Sequence, residues 1–147
     1  MNKRKNKKHL KDLKINNFEN IDLVIVNFYP FEKTIAKTNN HQNIIENIDI
    51  GGPTLVRAAA KNYNDVTVIT SSEQYSNLIN ELKSNNGKTY LEFRKKMSQV
   101  AFTETAYYDS LISNYFNKIS RTHFPKKKII KKKIIENLRY GENPHQE

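Results

Sequence analysis

A chain of 147 residues with 37% hydrophobic residues, seven Phe and eight Tyr holds enough apolar material for one domain, which at this size buries roughly 68–70% of its extended surface. The formal charge of +10 lies near the two ends: Lys3 to Lys14 carries seven Lys/Arg against one Asp, Lys126 to Lys133 carries six Lys, and the remainder has 12 basic and 14 acidic residues. That distribution does not describe a basic groove along a folded face, and the lack of cysteine excludes disulfides, thiolate nucleophiles and zinc–cysteine centres.

The charged, broken text from Lys3 to Asn20, with His9, Leu10 and Leu13, supports at most a short amphipathic helix. "IDLVIVNFYPF" (21–31) is a compact apolar run rich in β-branched residues and stopped by Pro30; it predicts a buried strand that delivers Asn27 and Tyr29 to its C-terminal end. "HQNIIENI" predicts a short amphipathic helix. After Gly51-Gly52, Pro53 suits a first helical turn and "TLVRAAAKN" continues with strong helix formers. "DVTVIT" (65–70) predicts a second buried strand. Ser71 with Gln74 three residues on gives a capping-box pattern, and Tyr75, Leu78, Ile79 and Leu82 then form one stripe of a helix ending near Asn85-Asn86-Gly87. From about Thr89 to Asn117 a longer helix is predicted, with Phe93, Met97, Val100, Ala101, Tyr108, Leu111, Ile112, Tyr115 and Phe116 on its apolar side. Strand, helix, strand, helix is the order of an α/β layer with parallel strands. After Pro125 the text changes to lysine triplets and Ile pairs, which reads as a linker or edge strand.

The chemistry-bearing residues cluster at 46–66, "ENIDIGGPTLVRAAAKNYNDV". Asp49 to Gly52 lie where a loop meets a helix N-terminus, whose N–H groups can hold an anion or a developing oxyanion; equally, Gly51-Gly52-Pro53 can only turn the chain and cap the helix. Lys61 is either a site cation or a solvated lysine at the end of that helix, and Arg57 a surface residue one turn earlier. Tyr29 and Asn27 follow a strand, the end at which open α/β sheets bind ligands, though a tyrosine before proline also serves packing. The four His are scattered without ligand spacing, so no metal is expected. No apolar run nears the ~20 residues of a membrane span and the basic start lacks a signal peptide's apolar region, which predicts a soluble cytoplasmic protein.

Four blocks, "IDLVIVNFYPFEKTIA", "ENIDIGGPTLVRAAAKNYNDVTVIT", "AFTETAYYDSLISNYF" and "NLRYGENPHQ", resemble in order the family of bifunctional purine biosynthesis enzymes that carry AICAR transformylase and IMP cyclohydrolase activities. The resemblance implies a methylglyoxal-synthase-like α/β parallel-sheet domain with flanking helices over residues 1–124, here without the strands and "KTLHPKIHGG"-type motif that open the family's domain. Residues 125–147 would be a linker and the start of the transformylase domain. It implies Tyr29, Asp49 and Lys61 as catalytic, with Asn27, Ile50 and Gly51 beside the nucleotide base and Arg139 and Tyr140 touching AICAR.

The activity so implied is closure of the formylated carboxamide ribotide FAICAR to IMP, without a cofactor; the transformylase half would use 10-formyltetrahydrofolate. Purine nucleotide intermediates would be the partners, a homodimer the assembly of the complete enzyme, and neither nucleic acid nor membrane a partner. These 147 residues alone are expected to show little or no turnover. The competing expectation, from composition, is a small basic RNA-binding protein.

Overall fold

The computed structural model describes residues 1–127 and 129. Two short strands, β1 (Leu23–Ile25) and β2 (Thr67–Ile69), run parallel in register Leu23↔Thr67, Val24↔Val68 and Ile25↔Ile69. Parallel neighbours cannot be joined by a tight turn; here the crossover contains α2 (Phe31–Lys37), α3 (His41–Glu46) and α4 (Gly51–Lys61). A helix α1 (Lys7–Ile15) precedes β1, and β2 leads through a 3₁₀ turn (Ser72–Gln74) into α5 (Tyr75–Ser84) and α6 (Leu91–Ile119). This is the α/β arrangement with flanking helices that the sequence predicts.

The first strand departs from its expectation. It is three residues long and only half covered, with Leu23 36% and Ile25 46% exposed, whereas all of β2 is buried. The reason is position: among the described residues β1 pairs with β2 alone, so only Val24 and Val26 turn toward the core formed by Val56, Val66, Val68 and Met97. Pro30, expected to stop the strand, also stands at the start of a helix the pattern does not predict, α2. Proline cannot sit inside a helix but suits its start, and the Pro30 carbonyl accepts the Thr34 N–H at 3.0 Å while Phe31 goes into the core at 1% exposure.

Other elements follow their signals. Asn40 caps α3 by accepting the Asn43 N–H at 3.0 Å. Pro53 lies in the first turn of α4, which buries Pro53, Val56, Ala59 and Ala60. The capping box is present: Ser71 Oγ accepts the Glu73 N–H at 3.2 Å, and Gln74 Oε1 accepts the N–H groups of Thr70 and Ser71 at 2.8 and 3.4 Å. The stripe of α5 is narrower than predicted, since Leu78 is buried and Leu82 packs beside it while Tyr75 and Ile79 are exposed. Asn86 and Gly87 take positive φ, 53° and 78°, and the Gly87 N–H returns to the Leu82 carbonyl at 2.8 Å, ending α5 as left-handed residues end helices.

The 29 residues of α6 span about 43 Å at 1.5 Å per residue and join two apolar clusters. Met97 and Ala101 complete the core under β2; Tyr108 and Leu111 pack with Phe31 and Ile44 in the second. Phe116, placed on the apolar side by the periodicity, is 42% exposed. Three polar residues on the buried side fell outside that pattern. Ser98 reaches the Ala60 carbonyl at 2.8 Å, while Thr105 and Ser110 bond back to the carbonyls of Phe102 and Tyr107 at 3.0 and 2.6 Å, so none is left unsatisfied.

Candidate functional site

The carboxyl ends of both strands open on the same side, where a cavity of about 450 Å³ is lined by Asn27, Tyr29, Thr70 and Ser71. α2 contributes Glu32 and Lys33, and α6 contributes Glu104, Tyr107 and Tyr108. Tyr107 Oη donates to Glu32 Oε1 at 3.1 Å and ties the two helices at the rim. Asn27 Nδ2 donates to Tyr75 Oη at 3.4 Å, linking the end of β1 to the first turn of α5. Tyr29 is 57% exposed, so its phenol is accessible to solvent beside the cavity.

Asp49 is brought to this edge by three contacts. Its Oδ1 accepts the Gly52 N–H at 2.7 Å, its Oδ2 accepts the Tyr29 N–H at 3.3 Å, and its own N–H donates to Tyr108 Oη at 2.9 Å. The helix-capping alternative is thus realised: the carboxylate satisfies an orphan donor of α4. A carboxylate offers about four acceptor positions, so two bonds hold this one in place and leave it capacity for a ligand. Gly52 makes the approach possible, because a Cβ there would lie 2.5 Å from Asp49 Oδ2.

Of the residues the sequence singled out, Asn27 and Tyr29 line the cavity and Asp49 accepts the Tyr29 N–H beside it. Ile50 and Gly51 follow directly, both exposed, Ile50 at 73%. Lys61 does not join them. It is exposed in the last turn of α4, ten residues beyond Gly51 and therefore roughly 15 Å along the helix axis, where a cation favours the macrodipole. Arg57 sits over the Phe102 ring at 5.6 Å. Arg139 and Tyr140 lie outside the described residues.

Tyr108 was read as an apolar-face residue and is the contributor that the periodicity hid. Its ring packs against Phe28 and Phe31 at 5.2 and 6.2 Å between centroids. Burial pushes its phenol above the ordinary value; the hydrogen bond from Asp49 opposes the rise, and the charges of Asp49 and Asp109 add to it. The available signal was chemical: a buried tyrosine at a position where leucine would pack carries a hydroxyl that needs a partner. Among the described residues no group of three or more His, Cys, Asp or Glu is placed to hold a metal, and no helix is long and apolar enough to cross a membrane.

The sequence pattern of the AICARFT/IMPCHase bienzyme family matches residues 59–147, more than half of the chain. The chain belongs to that family. A second pattern, the MGS-like domain, matches residues 1–54, and since β1 lies in one match and β2 in the other, the two strands of a single sheet are shared between them. Curated relatives agree. The bifunctional purine biosynthesis protein PurH of Bradyrhizobium diazoefficiens is 46% identical over 97% of this chain, that of Prochlorococcus marinus (strain NATL2A) 52% over 98%, and that of Oceanobacillus iheyensis 43% over 100%. The chain spans 27% to 29% of the length of these relatives. A solved structure described as the crystal structure of ForH superposes with a TM-score of 0.68 at 24% identity, covering 78% of this chain and 60% of that one, a likeness of fold. None of these matches supports the RNA-binding alternative drawn from composition.

Proposed function

We propose that this chain supplies the base-facing wall of an IMP cyclohydrolase site, closing FAICAR to IMP in purine biosynthesis. The observation that carries the reading is the joint position of Tyr29 and Asp49 at the carboxyl edge of a parallel sheet, the edge at which such sheets bind ligands, in a member of the bienzyme family. In the reaction the carboxamide nitrogen attacks the formyl carbon, a C–N bond forms, and the carbonyl electron pair moves to oxygen. The carboxamide nitrogen gives up one proton and the formamido nitrogen the other, a C=N bond forms to the formamido nitrogen, and the oxygen leaves as water.

Asp49, fixed by two backbone N–H groups, orients the amide or takes its proton; Tyr29, exposed beside it, relays a proton to the departing oxygen. Asn27, Ile50 and Gly51 border the base. Lys61 stays in the proposal through the resemblance, as a cation for the developing oxyanion, since the geometry of α4 gives it no contact with this cavity. Residues 1–124 form the cyclohydrolase portion and 125–147 the entry to a transformylase portion, where Arg139 and Tyr140 touch AICAR and 10-formyltetrahydrofolate supplies the formyl group. A cytoplasmic homodimer is the working assembly, and the isolated 147 residues turn over little FAICAR.

The test follows conversion of FAICAR to IMP by the chain extended to its relatives' length. Asp49→Asn keeps the size and one capping oxygen and is expected to lower kcat about a hundredfold, within the range of general acid–base contributions; Tyr29→Phe is expected to lower it about tenfold. Full activity in both variants would refute the reading. A drop in Lys61→Met would retain the ammonium as a charge stabiliser, and unchanged turnover would assign it to the helix end alone.

A further inference from the structure

The hydroxyl of Tyr108 has a donor that the fold leaves unused. A phenol offers one O–H and two acceptor positions. The Asp49 N–H takes an acceptor position at 2.9 Å, and among the described residues the Tyr108 O–H has no protein acceptor. The residue is 5% exposed yet lines the carboxyl-edge cavity, so what solvent or ligand it meets, it meets there. Phe28 and Phe31 both pack against the ring, and the bond from the Asp49 N–H pins the oxygen. A buried donor is costly to leave unmade, and a phenol that already accepts an N–H is polarised toward donating.

We propose that Tyr108 contacts the substrate, its O–H donating to a carbonyl or developing oxyanion oxygen of the nucleotide base held in the carboxyl-edge cavity. The inference rests on the cyclohydrolase reading and deepens it. It divides the labour at one loop: Asp49 presents its carboxylate toward Tyr29 and Gly52 while its backbone N–H fixes the phenol that faces the ligand. Burial keeps the phenol protonated above the ordinary range, as a donor requires. The charged and titratable groups around it are Asp49 before α4, Glu104, Tyr107 and Asp109 on α6, Glu32 and Lys33 on α2, and Tyr29 after β1.

The test titrates IMP into the chain extended to its relatives' length. Tyr108→Phe preserves the ring contacts and removes the oxygen; IMP affinity is expected to fall about tenfold. A second protein with 3-fluorotyrosine at position 108 keeps size and hydroxyl but makes the phenol more acidic. Because the donor acts only while protonated, the loss of IMP binding at high pH is expected to move to lower pH in that protein. Unchanged affinity in Tyr108→Phe, or an unmoved pH limb, would overturn the assignment. If Asp49→Asn still weakened IMP binding, the cyclohydrolase reading would survive that failure. Absence of IMP binding by the unsubstituted protein would overturn both. Should Tyr108→Phe fail to fold, the fluorotyrosine protein decides alone.

Discussion

The two ends of the small sheet are built from similar residue types put to opposite uses. At the amino edge a second cavity, about 560 Å³, is bordered by Arg4, Asp22, Asp65 and Arg94. Here the chain's own groups engage the charges: Arg94 gives its guanidinium to the carbonyls of Tyr63, Asn64 and Thr89, Arg4 pairs with Asp22, and the Arg4 N–H reaches Asp65 at 3.1 Å. At the carboxyl edge Asp49 and Tyr108 are each held by the backbone with capacity remaining. Charge near a cavity does not by itself mark a site. The carboxyl edge differs in that the fold positions its polar groups without exhausting them.

The two edges are expected to respond differently to substitution. The largest effect is expected at the carboxyl edge with Gly52→Ala, whose Cβ would press on the Asp49 carboxylate at 2.5 to 2.9 Å. Displacing that group by about 1 Å is worth up to about a hundredfold in turnover, with about 1 kcal/mol of cap stability lost. Gly51→Ala, which meets nothing within 4 Å, serves as the control and changes stability by less than about 1 kcal/mol. FAICAR turnover and urea unfolding of the two variants separate a close approach from a merely helical glycine.

At the amino edge Arg94→Met is expected to cost about 2–3 kcal/mol of stability, since three backbone carbonyls lose a charged donor. IMP affinity should not change. A loss of affinity without a loss of stability would mean that the amino edge also binds nucleotide. The smallest effect belongs to Arg4→Gln: its pair with Asp22 is largely solvent-exposed and is worth under about 1 kcal/mol, falling further in high salt.

Much of the fold was legible because its signals are local. Pro53 with "TLVRAAAK", Ser71 with Gln74, and the long periodic run ending near Asn117 each specify an element without help from the rest of the chain, and each is present. The failures are tertiary. Whether "LVI" is buried depends on how many strands flank it, which no residue in the run encodes, and whether Pro30 closes a strand or opens a helix depends on Phe31 finding a core. The site divides along the same line. Asp49 next to a glycine pair could be seen as a cap or a ligand; that it touches Tyr29 N and Tyr108 Oη across 20 and 59 residues could not. Lys61 is grouped with Asp49 by the resemblance alone, and the residues by themselves read equally as a lysine at a helix end, which is where α4 carries it.

Amide chemical-shift mapping of the chain extended to its relatives' length, titrated with IMP, tests the central claim most directly. Saturable shifts are expected at Asn27, Tyr29, Asp49 and Gly52, with none at the amino-edge residues Arg4, Asp65 and Arg94. Shifts confined to the amino-edge residues, or no saturable shift at the carboxyl edge, would contradict it.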